Sequence, residues 1–133
     1  MYDNEPVGFA PAIPVLRMFE VDHAYAFYRD YLGFRIDWEH RFGADFPLYA
    51  QVSRGALRLH LSEHHGDGTP GSVVWIVVGD IHAFHRELAA KNYRYAEPGC
   101  PVDGPGGIGF DLTDPSGNVL RFAQPPVDGG EAG

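Results

Sequence analysis

The sequence is poor in cysteine and contains no long apolar run. Cys100 is the only cysteine among 133 residues, so no disulfide can form within the chain. The longest apolar stretch, residues 73–78, has the length of a strand and falls far below the ~20 residues that span a membrane. The sequence does not begin with the basic residues and apolar run that would indicate a secretion signal. We therefore expect a reduced, cytoplasmic protein with no membrane partner.

Basic residues are also scarce, because 10 Lys and Arg stand against 18 Asp and Glu and give a net charge of −8. The resulting field repels nucleic acid, and we expect no nucleic-acid partner. The charge either favours a cationic partner or serves solubility alone. No Ser-His-Asp arrangement or dinucleotide fingerprint is present. Residues 104–109 are glycine-rich, but they lack the strand-then-helix context of a phosphate-binding loop.

An internal repeat is the most informative feature that the sequence does contain. Residues 21–30 read VDHAYAFYRD and are followed by GFR, whereas residues 78–87 read VGDIHAFHRE and are followed shortly by NYR. A repeat of this length predicts two similar supersecondary units with a cleft between them.

Each half of the repeat predicts one strand, one helix and three further strands. In the first half we expect a helix capped by Asp22, with one apolar face, and Asp80 should cap the second helix. The predicted apolar faces are Ala24, Phe27, Tyr28 and Tyr31 in the first helix and Ile81, Phe84 and Leu88 in the second. The predicted strands span residues 12–20, 34–42, 48–54, 56–62, 73–78, 93–96, 109–112 and 119–123. Residues 114–118 should form a hairpin turn.

These signals predict a single domain over residues 12–124, with modules at about 12–63 and 72–124. Residues 1–11 and 125–133 are expected to be flexible ends.

The motifs carried by this framework resemble those of the vicinal oxygen chelate superfamily. They are Phe27-Tyr28, Leu32-Gly33-Phe34 and the run Asp114-Pro115-Ser116-Gly117-Asn118. This group includes glyoxalase I, extradiol dioxygenases, fosfomycin-resistance enzymes and bleomycin-resistance proteins. The resemblance covers residues 12–124 and implies an α+β fold, in which two βαβββ modules form curved mixed sheets around a cleft. It also implies that two chains pair as a homodimer.

Enzymes of this superfamily hold a divalent metal with side chains on the first and last strands of each module. The corresponding residues here are Pro14, His60, Val73 or Val74, and Arg121. Proline and valine offer no donor atom and arginine stays protonated, so the resemblance implies a lost metal site and no catalytic residues. The alternative is a lyase, isomerase or dioxygenase with a divalent metal relocated around His60 and Glu63.

The bleomycin-resistance proteins of the superfamily share this loss, and they sequester a cationic antibiotic in a dimer crevice. Pro14-Val15-Leu16, Asp37-Trp38 and Trp75 resemble their corresponding positions, whereas Gly106 stands where they usually carry a tryptophan. The resemblance therefore implies a metal-free small-molecule-binding protein. From the strand context alone, Trp75 is instead predicted to lie in the core.

Strand alternation separates Arg58 and His60 from three leucines of the same strand, and it places Tyr49 and Gln51 together on the neighbouring strand. If the polar faces coincide, they form a wall that orients a ligand by hydrogen bonds, with acidic residues facing its charge and tryptophans stacking on it. The alternatives are a solvated sheet face and a scaffold without a ligand. The predicted ligand-binding residues are Asp37, Trp38, Glu39, His40, Tyr49, Gln51, Arg58, His60 and Trp75.

Overall fold

The computed structural model describes residues 6–93 and 98–126 and contains eight strands within them. Helix α1 (Val21–Tyr25) continues without a break into π-helical turns over Ala26–Tyr31, and α2 spans Ile81–Ala90. The strands are β1 (Val15–Arg17), β2 (Arg35–His40), β3 (Tyr49–Arg54), β4 (Leu57–Ser62), β5 (Val73–Val77), β6 (Val102–Gly104), β7 (Gly107–Thr113) and β8 (Val119–Gln124).

The two halves have the same topology, as the repeat predicts. The first sheet has the order β1-β4-β3-β2 and the second has the order β5-β8-β7-β6. In each sheet the first strand of the module runs parallel to the last, and the other pairs are antiparallel. The predicted α+β fold with two βαβββ modules is confirmed.

Each sheet buries one face against a helix. The leucines at 59 and 61 are fully buried, and the predicted helical face in the first module is buried throughout. In the second module Phe84 of α2 packs edge-on against Phe122 at 5.0 Å between ring centroids. Strand alternation directs the remaining side chains to the opposite face of each sheet, and no helix among residues 6–93 and 98–126 covers that face.

The first helix begins differently from the prediction. Asp80 caps α2 by accepting a hydrogen bond from the Ala83 amide at 3.0 Å, as expected. In α1, however, Glu20 occupies the cap position without a side-chain hydrogen bond, and Asp22 lies inside the first turn. Asp22 is therefore not the cap. An acidic side chain in the first turn still interacts favourably with the helix dipole.

The strands of the second module were predicted less well than those of the first. The predicted strand at residues 93–96 lies mostly outside the described residues. β6 (Val102–Gly104) was not predicted, because its glycine-rich, exposed sequence carries no apolar alternation. The turn over residues 114–118 forms the predicted hairpin, in which the Asp114 amide donates to the Asn118 carbonyl at 2.7 Å.

This hairpin also joins the two modules. The Tyr28 hydroxyl donates to Asp114 Oδ2 at 2.6 Å, and Asn118 Nδ2 donates to the Arg17 carbonyl at 2.9 Å. Ser116 Oγ accepts a hydrogen bond from the Phe19 amide at 3.1 Å. Because these groups are buried or half-buried, the contacts fix the modules against each other with little competition from water.

A cleft of about 480 Å³ does lie between the modules, but on the side of α2. Phe34 and Leu57 line it from the first module, and Ile76 and Phe84 line it from the second. None of the predicted ligand-binding residues lines this cleft. Most of these residues lie instead on the uncovered sheet faces.

Candidate ligand-binding faces

The uncovered face of the first sheet brings together most of the predicted ligand-binding residues. Cross-strand partners point to the same side of a sheet, and the register pairs Trp38 and His60 with Gln51, His40 with Tyr49, and Arg58 with Ser53. We call this surface the first open face, formed by Asp37, Trp38, His40, Tyr49, Gln51, Arg58 and His60.

A chain of hydrogen bonds runs across the first open face. The Tyr49 hydroxyl lies 2.7 Å from His60 Nδ1, and His60 Nε2 lies 3.0 Å from Gln51 Oε1. Gln51 Nε2 then donates to Asp37 Oδ2 at 3.0 Å. Ser53 Oγ and Arg35 Nε both donate to Asp37 Oδ1 at 3.0 Å. The chain fixes the orientation of each polar group along it.

A β-bulge brings Asp37 onto this face. The register shifts between Ile36 and Trp38, so that Asp37 is an extra residue opposite the β3 strand. Without the bulge, alternation would direct the Asp37 side chain away from Trp38. The hydrogen bonds from Gln51 and Ser53 hold the pKa of Asp37 below its ordinary value, with a further contribution from Arg35. The carboxylate is therefore ionised at neutral pH.

Glu39 does not share the first open face, which corrects its predicted place beside Asp37. Its cross-strand partner is the buried Ala50, so its side chain lies on the helix side of the sheet. There it accepts a hydrogen bond from the Tyr25 hydroxyl at 2.6 Å. Burial raises the pKa of Tyr25, and the Glu39 carboxylate raises it further.

Trp38 provides an aromatic surface on this face. Its ring lies parallel to that of Tyr49, with an interplanar angle of 9° and 6.0 Å between centroids, and it meets the His60 ring edge-on at 5.3 Å. The side chain is 43% exposed. An aromatic ring that is held by neighbours yet open to solvent can stack on a planar ligand.

Partial burial affects both ring partners of Trp38. It lowers the pKa of His60 from its ordinary value of 6.5, so the imidazole is neutral at pH 7. Burial also raises the pKa of Tyr49, with an electrostatic contribution from Asp67. Both groups are therefore uncharged hydrogen-bonding groups under physiological conditions.

The second sheet has an uncovered face of its own, which contains Trp75. The register aligns Trp75 with Arg121 and Arg121 with Asp111, and Arg121 Nε lies 3.2 Å from Asp111 Oδ1. Val73 and Val77 flank Trp75 on β5. We call these five residues the second open face. A groove of about 550 Å³ lies along it, lined by Trp75, Arg121 and residues of β6 and β7.

Trp75 is not a core residue, which corrects the expectation from its strand context. It is 47% exposed, and its indole lies on the backbone of Gly106. A Cβ atom at position 106 would stand 2.4 Å from Trp75 Cζ2. Gly106 also has a φ of +83°, which L side chains rarely adopt. The position that carries tryptophan in the resembled proteins is thus covered by the indole of Trp75, which reaches it from β5.

The superfamily metal positions do not fit a divalent ion in this chain. Val15 is the register partner of His60, and Trp75 is the register partner of Arg121, so these two residues rather than Pro14 and Val73 or Val74 flank the site. Valine and tryptophan supply no lone pair to a metal. Among residues 6–93 and 98–126, no group of three or more His, Cys, Asp or Glu side chains is arranged to hold a metal ion.

The relocated site around His60 and Glu63 is not assembled either. Glu63 Oε1 accepts the Leu48 amide at 2.8 Å and lies 3.8 Å from Arg41, whereas both His60 nitrogens are occupied by Tyr49 and Gln51.

Two residues that hold charged groups of the open faces in place were not among the predicted site residues. Ser53 fixes Asp37, and Asp111 pairs with Arg121. Counting outward from the hairpin turn would have placed Asp111 opposite Arg121, because Thr113 pairs with Val119 across the turn. The bulge that brings Ser53 to Asp37 had no comparable signal. No helix among the described residues is long and apolar enough to cross a membrane.

Comparison with known proteins agrees with this geometry. The family model described as glyoxalase superfamily protein matches residues 2–130. The bleomycin-binding protein of bleomycin-producing Streptomyces verticillus, solved with copper(II)-bleomycin, is 31% identical; the match covers 89% of this chain and 98% of that one, with a TM-score of 0.66. No curated protein sequence matches the chain.

Two further solved structures are similar over nearly their whole length. A bleomycin-binding protein complexed with bleomycin is 25% identical, with a TM-score of 0.69 over 89% of this chain and 100% of that one. The bleomycin resistance determinant encoded on the transposon Tn5 is 25% identical, with a TM-score of 0.70 over 90% and 100%. The chain therefore belongs to the glyoxalase superfamily, in the branch of the bleomycin-binding and bleomycin-resistance proteins.

Proposed function

We propose that this protein sequesters an aromatic or cationic small molecule without metal and without bond chemistry. The observation that carries the proposal is the first open face, where the half-exposed Trp38 lies beside the hydrogen-bonded groups of Tyr49, Gln51 and His60. Such a face combines a stacking surface with a few fixed polar groups, the combination that orients ligands in binding sites. The relatives that bind bleomycin have the same fold.

Charge supports a cationic ligand. The chain has a net charge of −8, and the ionised Asp37 lies directly beside Trp38 on the first open face. A negative field raises the local concentration of a cation and speeds its encounter with the face. A cation that stacks on an indole gains a further cation–π contribution.

A cleft deep enough to bury the ligand would form between two copies of the chain. No hydrogen bond, ion pair or ring contact among the described residues joins the two open faces. The second open face exposes Val73 by 54% and Val77 by 65% on either side of Trp75. A contiguous apolar strand face of this kind indicates a contact surface, and a second copy would bring an open face against its partner's.

The proposal that no metal takes part rests on the types of residue at the superfamily metal positions. The superfamily metal positions of the two modules hold two register pairs, Val15 with His60 and Trp75 with Arg121. Only the imidazole of His60 offers a donor atom there, whereas a divalent metal needs a full set of donors. A binding protein of this kind needs only tight noncovalent burial, which stacking and hydrogen bonds supply.

Titration of tryptophan fluorescence with bleomycin and with other planar cationic compounds tests the proposal. We expect saturable quenching in the wild type, and Trp38→Phe should abolish the response of the first open face while leaving Trp75 as a reporter. Sedimentation velocity with and without the compound measures the dimer. Unchanged fluorescence with every compound would contradict the proposal, as would a stoichiometric bound metal that is lost in His60→Ala.

A further inference from the structure

We propose that His60 commits the proton of the Tyr49 hydroxyl, so that the first open face presents hydrogen-bond acceptors and selects cations with N–H groups at their edge over analogues in which those groups are alkylated. This inference rests on the proposed function and specifies its ligand class. Tyr49 and Asp37 would contact the ligand, and His60 would act as a positioning residue.

The ionised carboxylate of Asp37 can only accept hydrogen bonds. Its Oδ2 atom lies 3.0 Å from the Gln51 side-chain amide. The amide must therefore turn its NH₂ group toward Asp37, since the opposite orientation would place two acceptors against each other. Gln51 Oε1 is then directed at His60.

The orientation of Gln51 fixes the tautomer of His60. Gln51 Oε1 accepts from His60 Nε2 at 3.0 Å, so Nε2 carries the proton of the neutral ring. Nδ1 is left as an acceptor, and its partner at 2.7 Å is the Tyr49 hydroxyl. Tyr49 therefore donates its only proton to His60.

A tyrosine hydroxyl whose proton is committed has only lone pairs to offer a ligand. Asp37 adds a second acceptor, because its carboxylate receives three hydrogen bonds and has about four lone-pair sites. Both acceptors lie beside Trp38, whose ring centroid is 6.0 Å from that of Tyr49. A planar cation stacked on Trp38 thus meets acceptors at its edge, and N–H groups there would form charge-assisted hydrogen bonds.

A matched pair of dyes tests this selectivity. Proflavine and acridine orange have the same planar acridinium ring with the same ring N–H, but methyl groups replace the exocyclic N–H hydrogens in acridine orange. The readout is the ratio of the two dissociation constants, compared between the wild type and each variant. This comparison cancels the effects of a substitution on stacking and on overall charge, because they act on both dyes alike. We expect Tyr49→Phe to reduce the preference for proflavine by about fivefold to tenfold, the value of one hydrogen bond. His60→Leu should shift the ratio in the same direction, since the hydroxyl is then free to rotate.

Nitrogen-15 spectra of histidine-labelled wild-type protein at neutral pH test the tautomer without any ligand. We expect His60 Nε2 to be protonated and Nδ1 to show the shift of an unprotonated nitrogen. A proton on Nδ1 would overturn the inference, as would a dye ratio that Tyr49→Phe and His60→Leu leave unchanged. Equal binding of both dyes would overturn the inference alone and leave the proposed function standing. If neither dye bound, the inference and a planar cationic ligand would fail together.

Discussion

The Tyr28 hydroxyl donates a 2.6 Å hydrogen bond to Asp114 Oδ2 and thereby links the first helix to the last hairpin across the module boundary. Burial raises the pKa of Tyr28 well above its ordinary value, and the Asp114 charge raises it further. Asp114 also accepts from the amides of Ser116 and Asn118 and from the Asn118 side chain. One carboxylate thus shapes the turn and joins the modules.

Removing this link should destabilise the fold. We expect Tyr28→Phe to lower the free energy of unfolding by about 1.5–3 kcal/mol, because a buried hydrogen bond to a charged group is lost. Urea denaturation measures the change. Tyr25→Phe is the matched control, because the Tyr25 hydroxyl donates a part-buried hydrogen bond to Glu39 of the same module. Equal losses in the two variants would contradict a special role for the contact between modules.

Gly106 should be required for the position of Trp75. In Gly106→Ala the new methyl group would collide with the indole, so we expect a shifted Trp75 emission spectrum in a Trp38→Phe background. Gly71→Ala is the control, because Gly71 has a φ of +90° but no atom within 4 Å of its Cβ position. Both variants should lose about 1–2 kcal/mol to backbone strain. A Trp75 spectrum unchanged in Gly106→Ala would contradict the contact.

Asp37 and Glu39 should differ in their effect on ligand binding although they are close in sequence. Asp37→Asn removes a charge from the first open face, and we expect a planar cation such as proflavine to bind roughly tenfold more weakly. Glu39→Gln removes the same charge on the opposite face of the sheet and should leave the affinity within about twofold, since screening weakens distant exposed charges. Fluorescence titration compares the two. Similar losses would indicate that net charge alone drives binding.

The ion pair between Arg54 and Glu87 should make stability depend on pH in the acidic range. Hydrogen bonding from Arg54 lowers the pKa of Glu87 from its ordinary value of 4.5. The stabilisation is therefore complete above pH 4.5 and is lost as the pH falls through the lowered pKa of the folded state. Because the pair is partly exposed, we expect an effect on the order of 0.5 kcal/mol.

Chemical unfolding of the wild type and of Glu87→Gln between neutral and acidic pH measures this contribution. The difference between the two proteins should shrink as Glu87 becomes protonated. A difference that stays constant down to the lowest pH would exclude the ion pair as its source.

Much of the architecture could be predicted from the sequence because duplication and strand alternation are local patterns. The alternation in β3 and β4 placed Tyr49, Gln51 and His60 on one face, and the register confirms that these faces coincide. The exposure of Trp75 was not predictable from its apolar strand, since the pattern shows which residues share a face but not whether anything covers it. An apolar strand that forms a contact surface for another molecule has the same composition as a strand buried in the core.

The site could be predicted only in part. Asp37 and Glu39 were grouped by their similar chemistry, but a single extra residue in β2 turned them to opposite faces. A bulge adds one residue without a distinctive sequence signature, and one residue is enough to invert a side chain. Asp22 was predicted as the helix cap but lies in the first turn, because the cap and the first turn both favour acidic side chains.

The hairpin at residues 114–118 has a consequence for how the two halves are held together. Tyr28, Arg17 and Phe19 all bind it from the first module, and Arg54 reaches Glu87 on the second. The peptide link between the modules passes through exposed residues such as Gly66 and Gly71. Cutting the chain in that link would leave every one of these contacts in place. The halves should therefore reassemble from separate fragments, as two complementary pieces that recognise each other through side-chain and backbone groups alike.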